Sequence, residues 1–78
     1  MNEYNNLYAQ KIYEIITPII GELMAKGSLR AQCKSLGITE DSIQYKDIPA
    51  LSERLRKGLV LFRGAENADL VASRFLKI

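Results

Sequence analysis

The most apolar stretch of this 78-residue chain is Ile12-Tyr13-Glu14-Ile15-Ile16-Thr17-Pro18-Ile19-Ile20-Gly21-Glu22-Leu23-Met24. Its apolar residues recur at steps of three and four, which is the spacing of one helix face. They form two neighbouring stripes: Tyr8, Ile12, Ile15, Ile19 and Leu23 on one face, and Tyr13, Ile16, Ile20 and Met24 on the next. A surface helix needs only one stripe about 100° wide. We therefore expect this helix to be covered on more than one side, by the chain's other helices or by a second copy of the chain.

Pro18 stands in the middle of this stretch. A proline inside a helix removes one hydrogen bond and clashes with the preceding turn, at a cost of about 3 kcal/mol. Two structures fit this position. One is a long helix kinked near Thr17, and the other is a short helix ending near Ile16, followed by a new helix with Thr17 as its N-cap. The apolar spacing stays in phase across Pro18, which favours the kinked helix, from about residue 5 to residue 26.

A short second helix is expected to follow, because Gly27 is a natural helix stop and Ser28 a good N-cap. This helix ends at Gly37. Its buried face is Leu29, Cys33 and Leu36, with Cys33 as a small buried hydrophobe rather than a reactive thiol. Residues 38–47 are read as a helical turn and an extended connection, from which Ile43 and Tyr45 point inward.

Asp47 and Pro49 open a third helix that runs to about residue 63, and Gly64 separates it from a fourth. The inward stripes of these helices are Ile48, Leu51, Leu55, Leu59 and Phe62, then Ala68, Val71, Ala72 and Phe75, and Ile78 closes the core. No alternating strand pattern competes. The sequence thus predicts an all-α fold, a compact bundle of four main helices with a kinked first helix and a short extra turn, as a single domain over residues 1–78.

Composition excludes several classes of function. One cysteine and no histidine leave no internal disulfide, no zinc site built on Cys and His, and no histidine-dependent catalysis. The acidic residues show no catalytic spacing, so no enzyme, metal or cofactor is expected. No stretch reaches the roughly 20 apolar residues of a membrane span. Residues 1–6 lack the basic segment of a signal peptide, which makes a cytoplasmic location the expectation.

Residues 33–45 contain a pattern typical of a helix-turn-helix, with Leu36-Gly37-Ile38 as the tight turn. The segment that would read the bases carries one cation against three acidic residues: Lys46 against Glu40, Asp41 and Asp47. Phosphate neutralisation supplies most non-specific DNA affinity, and this face would repel phosphates. A DNA-binding transcriptional regulator using residues 33–45 is therefore the alternative function and not the preferred one.

Two surfaces are candidates for binding a protein. The third helix carries a basic group that suits an anionic partner, although a solvated polar face is the simpler interpretation: Arg54, Arg56, Lys57 and Arg63. The first helix offers more apolar surface than we expect the other helices to cover, which predicts a homodimer interface: Tyr13, Ile16, Thr17, Ile20, Gly21 and Met24.

Short signals are spread along the whole chain: Pro18-Ile19-Ile20-Gly21, Cys33 with Leu36-Gly37-Ile38, Asp47-Ile48-Pro49-Ala50-Leu51, and Phe62-Arg63-Gly64 with Ala68. In these the chain resembles small helical domains attached to sensor modules in archaeal regulatory proteins. The resemblance implies a regulatory or output module whose partner is a protein. We therefore expect a non-enzymatic interaction or regulatory module that self-associates, with neither a membrane nor nucleic acid as its partner.

Overall fold

Two glycines divide the helical chain into its main elements. The computed structural model describes residues 3–77, except for the side chains of Phe62 and Arg63. Helix α1 is Leu7–Ile20, α2 is Glu22–Ser35, a 3₁₀ turn spans Tyr45–Asp47, and α3 is Ile48–Phe75. Gly64 is non-helical and divides α3 into a first arm, 48–63, and a second arm, 65–75. Within residues 3–77 this is an all-α bundle of four helices with a short extra turn, and the predicted fold class is confirmed.

The predicted extent of the first helix, residues 5–26, is wrong at its C-terminal end. Only Gly21 separates α1 from α2, at φ 87° and ψ 162°, a region that is essentially restricted to glycine. Its N–H donates to the Thr17 carbonyl at 2.9 Å, which closes α1. Its carbonyl accepts from the Ala25 N–H, also at 2.9 Å, which opens α2. One residue therefore ends one helix and starts the next.

Pro18 lies within α1, as the kinked-helix interpretation requires, but the helical conformation is lost only at Gly21. The alternative in which α1 ends at Ile16 and Thr17 caps a new helix is wrong. The Thr17 hydroxyl instead donates to the Tyr13 carbonyl at 2.6 Å, inside α1. Because Pro18 stands in the last turn, little helix remains beyond it to be disturbed.

The predicted start of the second helix at Ser28 is also wrong, since Gly27 and Ser28 lie inside α2. Ala25, Leu29 and Cys33 follow one another at four-residue steps and are all fully buried. A glycine in a helix interior costs roughly 1 kcal/mol relative to alanine. Burial of one continuous face outweighs that cost, and the helix passes through Gly27.

The core is formed by all four helices and by the connection between α2 and α3. Its buried apolar residues are Ala9, Ile12, Tyr13 and Ile16 of α1; Ala25, Leu29 and Cys33 of α2; Ile43; and Ile48, Leu51, Leu55, Leu59, Ala68, Ala72 and Phe75 of α3. The predicted inward stripes of α3 are confirmed for these residues, while the predictions for Phe62 and Ile78 lie outside the described residues. The apolar stretch of α1 is thus covered largely within the chain.

Three residues predicted to face inward are exposed. Leu23 and Met24 follow Gly21, and the change of direction there removes them from the stripe of α1. Tyr45 lies in the 3₁₀ turn, where its ring faces solvent and lies 6.4 Å from the ring of Tyr8. Ile43, the other inward residue predicted for the connection, is buried as expected.

Candidate interaction surfaces

The helix-turn-helix predicted for residues 33–45 is absent. Cys33 lies in the last turn of α2, and no helix forms between Ser35 and Tyr45. In place of a second helix, Thr39 and Ser42 form a turn, with the Ser42 N–H donating to the Thr39 carbonyl at 3.1 Å. A helix-turn-helix places its second helix in the major groove. The alternative function of DNA binding through this segment therefore loses the element on which it depended.

Cys33 is fully buried, which confirms that it packs as a small hydrophobe. Burial raises the pKa of its thiol to about 11, and the nearby charges of Glu40 and Asp47 act in the same direction. The thiolate is the nucleophilic form of cysteine. At neutral pH this side chain is therefore a protonated, inaccessible thiol.

The six residues predicted for a dimer interface do not share one surface. Tyr13 and Ile16 are buried in the core of the chain itself, so their assignment to an interface is corrected. Thr17 and Ile20 are half-buried, and Gly21 and Met24 are exposed. Of the six predicted interface residues, only those near Gly21 are therefore accessible to a partner.

The four basic residues predicted for an anionic partner also differ in their surroundings. Arg56 binds two carboxylates, Glu53 at 2.6 Å and Asp69 at 3.4 Å. The hydrogen bond from Arg56 lowers the pKa of Glu53, and the same bond raises the pKa of Arg56. Arg54 and Lys57 are exposed, and the side chain of Arg63 lies outside the described part of the chain. The available positive charge is therefore that of Arg54 and Lys57.

A groove runs between α2 and the first arm of α3, and we call it the α2–α3 groove. Its walls are two rows at four-residue steps: Ser28, Gln32 and Leu36 on the α2 side, and Ala50, Arg54 and Gly58 on α3. Its deeper part holds about 40 Å³ and is lined by Ile16, Ile20, Leu55 and Leu59. Its shallower part holds about 580 Å³ and has Glu53 and Lys57 on its rim. The two parts share Gln32, Arg54 and Gly58, so they form one continuous depression.

Sequence reasoning found Arg54 and Lys57 but missed the groove beside them. One signal was present, since Gly58 interrupts an otherwise strong helix-forming segment. A Cβ added at Gly58 would meet no atom within 4 Å. The glycine is therefore not required by close packing within the chain, and it leaves the wall of the groove open.

Both glycine junctions lie at the same end of the bundle, which we call the junction end. Ile20, next to Gly21, lines the groove with Gly58 and Leu59, and Ile19 lines a second depression with Asn67 and Leu70. Gly58 and Leu59 precede Gly64 in the chain, and Asn67 and Leu70 follow it. Among the described side chains, the large apolar residues exposed at this end include Leu23 and Leu61, each 87% exposed, Leu70, 62% exposed, and Met24, 47% exposed.

The described part of the chain holds no group of three Cys, Asp or Glu side chains arranged to bind a metal ion. Within residues 3–77, no helix combines the length and the apolar character needed to cross a bilayer. Comparisons with protein-family models, with curated proteins and with solved structures find no match for this chain.

Proposed function

We propose that this chain is a non-enzymatic helical interaction module that associates with a second copy of itself through the junction end. The observation that carries the proposal is the exposure of Leu23 and Leu61 beside the two glycine junctions. Single exposed leucines are common on protein surfaces. A group of large apolar side chains at one end of a small domain is typical of a protein–protein interface.

The residues behind these leucines support the same proposal. Ile19, Val60 and Val71 are only partly buried where they pack against the core. A partner at the junction end would cover them together with Leu23 and Leu61. A two-fold dimer is the commonest arrangement in which a chain covers such a surface with its own copy. A 78-residue chain has a limited core, so it also gains stability from association.

The resemblance to small helical domains of archaeal regulatory proteins suggests the same kind of role. A regulatory or output module acts by binding, and self-association is one way in which it transmits a signal. In this proposal the junction end forms the dimer, and the other faces remain available to further partners.

Sedimentation equilibrium over a range of protein concentrations tests the proposal. We expect the unmodified chain to be a dimer at high micromolar concentration. Leu23→Glu combined with Leu61→Glu should yield a folded monomer, because each change places a charge in the apolar contact. The matched control is Leu7→Glu, because Leu7 is also well exposed, at 64%, but lies at the start of α1, away from the junction end.

Circular dichroism of each variant separates dissociation from unfolding. Retention of the dimer in Leu7→Glu together with its loss in the double variant supports the junction end as the interface. An unmodified chain that stays monomeric at every concentration would end the proposal of self-association.

A further inference from the structure

We propose that the α2–α3 groove binds an acidic amphipathic helix of a partner protein. The proposal rests on the interaction role proposed above and adds a second surface and the chemistry of its occupant. The apolar face of that helix enters the deeper part of the groove. Its acidic side chains lie against Arg54 and Lys57 on the rim.

The shape of the groove suits a helix. Both walls carry side chains at four-residue steps, and helices pack by setting such rows into the grooves of a neighbour. Gly58 leaves an opening in the α3 wall, where an added Cβ would have no neighbour within 4 Å. Below the opening the floor is apolar, formed by Leu55, Leu59 and Ile16. An apolar side chain of a partner helix therefore has a place to enter, as in other helix-in-groove complexes.

The charges on the rim indicate the sign of the partner's charge. Glu53 is the only acidic residue among the described residues that line the groove, and Arg56 already binds its carboxylate at 2.6 Å. Among the described residues, Arg54 and Lys57 form no ion pair. After the larger effect of the hydrogen bond from Arg56, the charge of Lys57 also helps to lower the pKa of Glu53. The rim thus presents two exposed positive charges beside an apolar floor. Acidic residues that flank apolar ones on a partner helix complement this pattern, and complementary charge governs specificity more than affinity.

Other occupants fit the groove less well. A nucleic acid gains its affinity from many phosphate contacts, and the groove offers two cations, Arg54 and Lys57, and an apolar floor. A second copy of this chain is assigned to the junction end, where Leu23 and Leu61 are exposed. Both occupants are outcomes that the experiment below detects.

The first measurement uses fluorescence anisotropy with the full chain and a labelled helical peptide of about four turns. The peptide carries leucine at steps of three and four and glutamate on the flanking positions. A counterpart has lysine in place of each glutamate. We expect saturable binding of the acidic peptide, weakened by added salt, and at least about tenfold weaker binding of the lysine peptide. Arg54→Gln and Lys57→Gln should each weaken binding of the acidic peptide about two- to fivefold.

The second measurement fills the opening in the groove. Gly58→Gln adds a side chain to the groove wall, and Gly27→Gln is its matched control on the same scaffold. Both glycines lie inside helices without positive φ, and a Cβ at either meets nothing within 4 Å. Glutamine has a higher helix propensity than glycine, so neither variant is expected to unfold. We expect Gly58→Gln to lose at least about tenfold in affinity, as for a blocked central contact, and Gly27→Gln to bind normally.

Four results would overturn the proposal: no saturable binding of the acidic peptide, equal binding by Gly58→Gln and the unmodified chain, equal or tighter binding of the lysine peptide, or tighter binding of a duplex DNA oligonucleotide. Sedimentation of Gly58→Gln separates this proposal from self-association. If Gly58→Gln is monomeric while the double variant Leu23→Glu with Leu61→Glu remains a dimer, the groove is the self-interface and the acidic-helix proposal fails. If the unmodified chain is monomeric yet binds the acidic peptide through the groove, self-association fails and this proposal stands.

Discussion

The side-chain nitrogen of Asn6 lies 2.9 Å from the carbonyl oxygen of Ile43, and this hydrogen bond joins the start of α1 to the connection between α2 and α3. The same nitrogen donates to the Asp41 carbonyl at 3.1 Å. The side-chain oxygen of Asn6 accepts from the Ala9 N–H at 3.0 Å, which makes Asn6 the N-cap of α1. One side chain therefore caps a helix and holds the irregular segment from which Ile43 enters the core.

Replacement of Asn6 separates these two roles. Asn6→Asp keeps an oxygen for the Ala9 N–H but cannot donate to Asp41 and Ile43, so it should lower the free energy of unfolding by about 1–3 kcal/mol. Asn6→Ala also removes the cap and should cost roughly 1 kcal/mol more. Urea unfolding measures both. An Asn6→Asp variant as stable as the unmodified chain would show that these donated bonds do not hold the connection.

Four of the five glycines divide into two classes with opposite expected effects. Gly21→Ala and Gly64→Ala force alanine into a region at φ 81–87° and ψ 162–164° that side chains avoid, at a cost of about 1–3 kcal/mol each. Gly27→Ala and Gly58→Ala lie in helix interiors with open space around the new Cβ and should add roughly 0.5–1 kcal/mol each. Thermal unfolding of the four variants tests the division. Equal tolerance at Gly21 and Gly27 would contradict the one-residue junction between α1 and α2.

Leu55 is the clearest test of the core, since it lies on the inward stripe of α3 and only 4% of its surface is exposed. Leu55→Ala should lower the free energy of unfolding by about 2–5 kcal/mol, because it removes buried methyl groups and leaves a cavity. Leu61→Ala on the same arm is the control, and we expect a change of no more than about 0.5 kcal/mol in the monomer, because Leu61 is 87% exposed. Similar losses in the free energy of unfolding for the two variants would show that Leu55 is no more buried in the core than Leu61.

The buried Cys33 should make the fold sensitive to alkaline pH. Its thiol has a pKa of about 11 in the folded chain against an ordinary value of 9.0. Between these values the unfolded chain has released the proton and the folded chain retains it, so the free energy of unfolding should fall as pH rises. Burial also raises the pKa of Tyr4 and Tyr13, which steepens the fall at the upper end of this range.

Urea unfolding between pH 8 and pH 11 measures this slope, and Cys33→Ala serves as the control that lacks the thiol. We expect a shallower slope in Cys33→Ala. A thiol reagent provides an independent check, because Cys33 should react only as fast as the chain opens. Rapid labelling of the folded chain at neutral pH would show that the thiol is accessible.

Local sequence was sufficient to predict much of α3. Ile48, Leu51, Leu55 and Leu59 recur at helical spacing and are all buried, and Gly64 interrupts the helix where it was expected. Side chains three and four residues apart share one helix face. The apolar spacing therefore indicates which face of the helix is buried, even when the elements that cover it are not known. The basic residues Arg54 and Lys57 were found from the concentration of positive charge on the third helix.

By itself, the sequence thus determined the all-α class, the inward faces of α3 and the buried state of Cys33. Tertiary structure decided which glycine divides the first half of the chain. The apolar pattern runs unbroken from α1 past Gly21, so it does not mark the end of the helix. Glycine adopts positive and negative φ about equally readily, so its presence does not show which of the two it takes. Gly27 stays helical because Ala25 and Leu29 are buried on the same face. The α2–α3 groove also arises only when the two helices are brought together, since one wall belongs to the end of α2 and the other to α3, beyond the connection and its 3₁₀ turn.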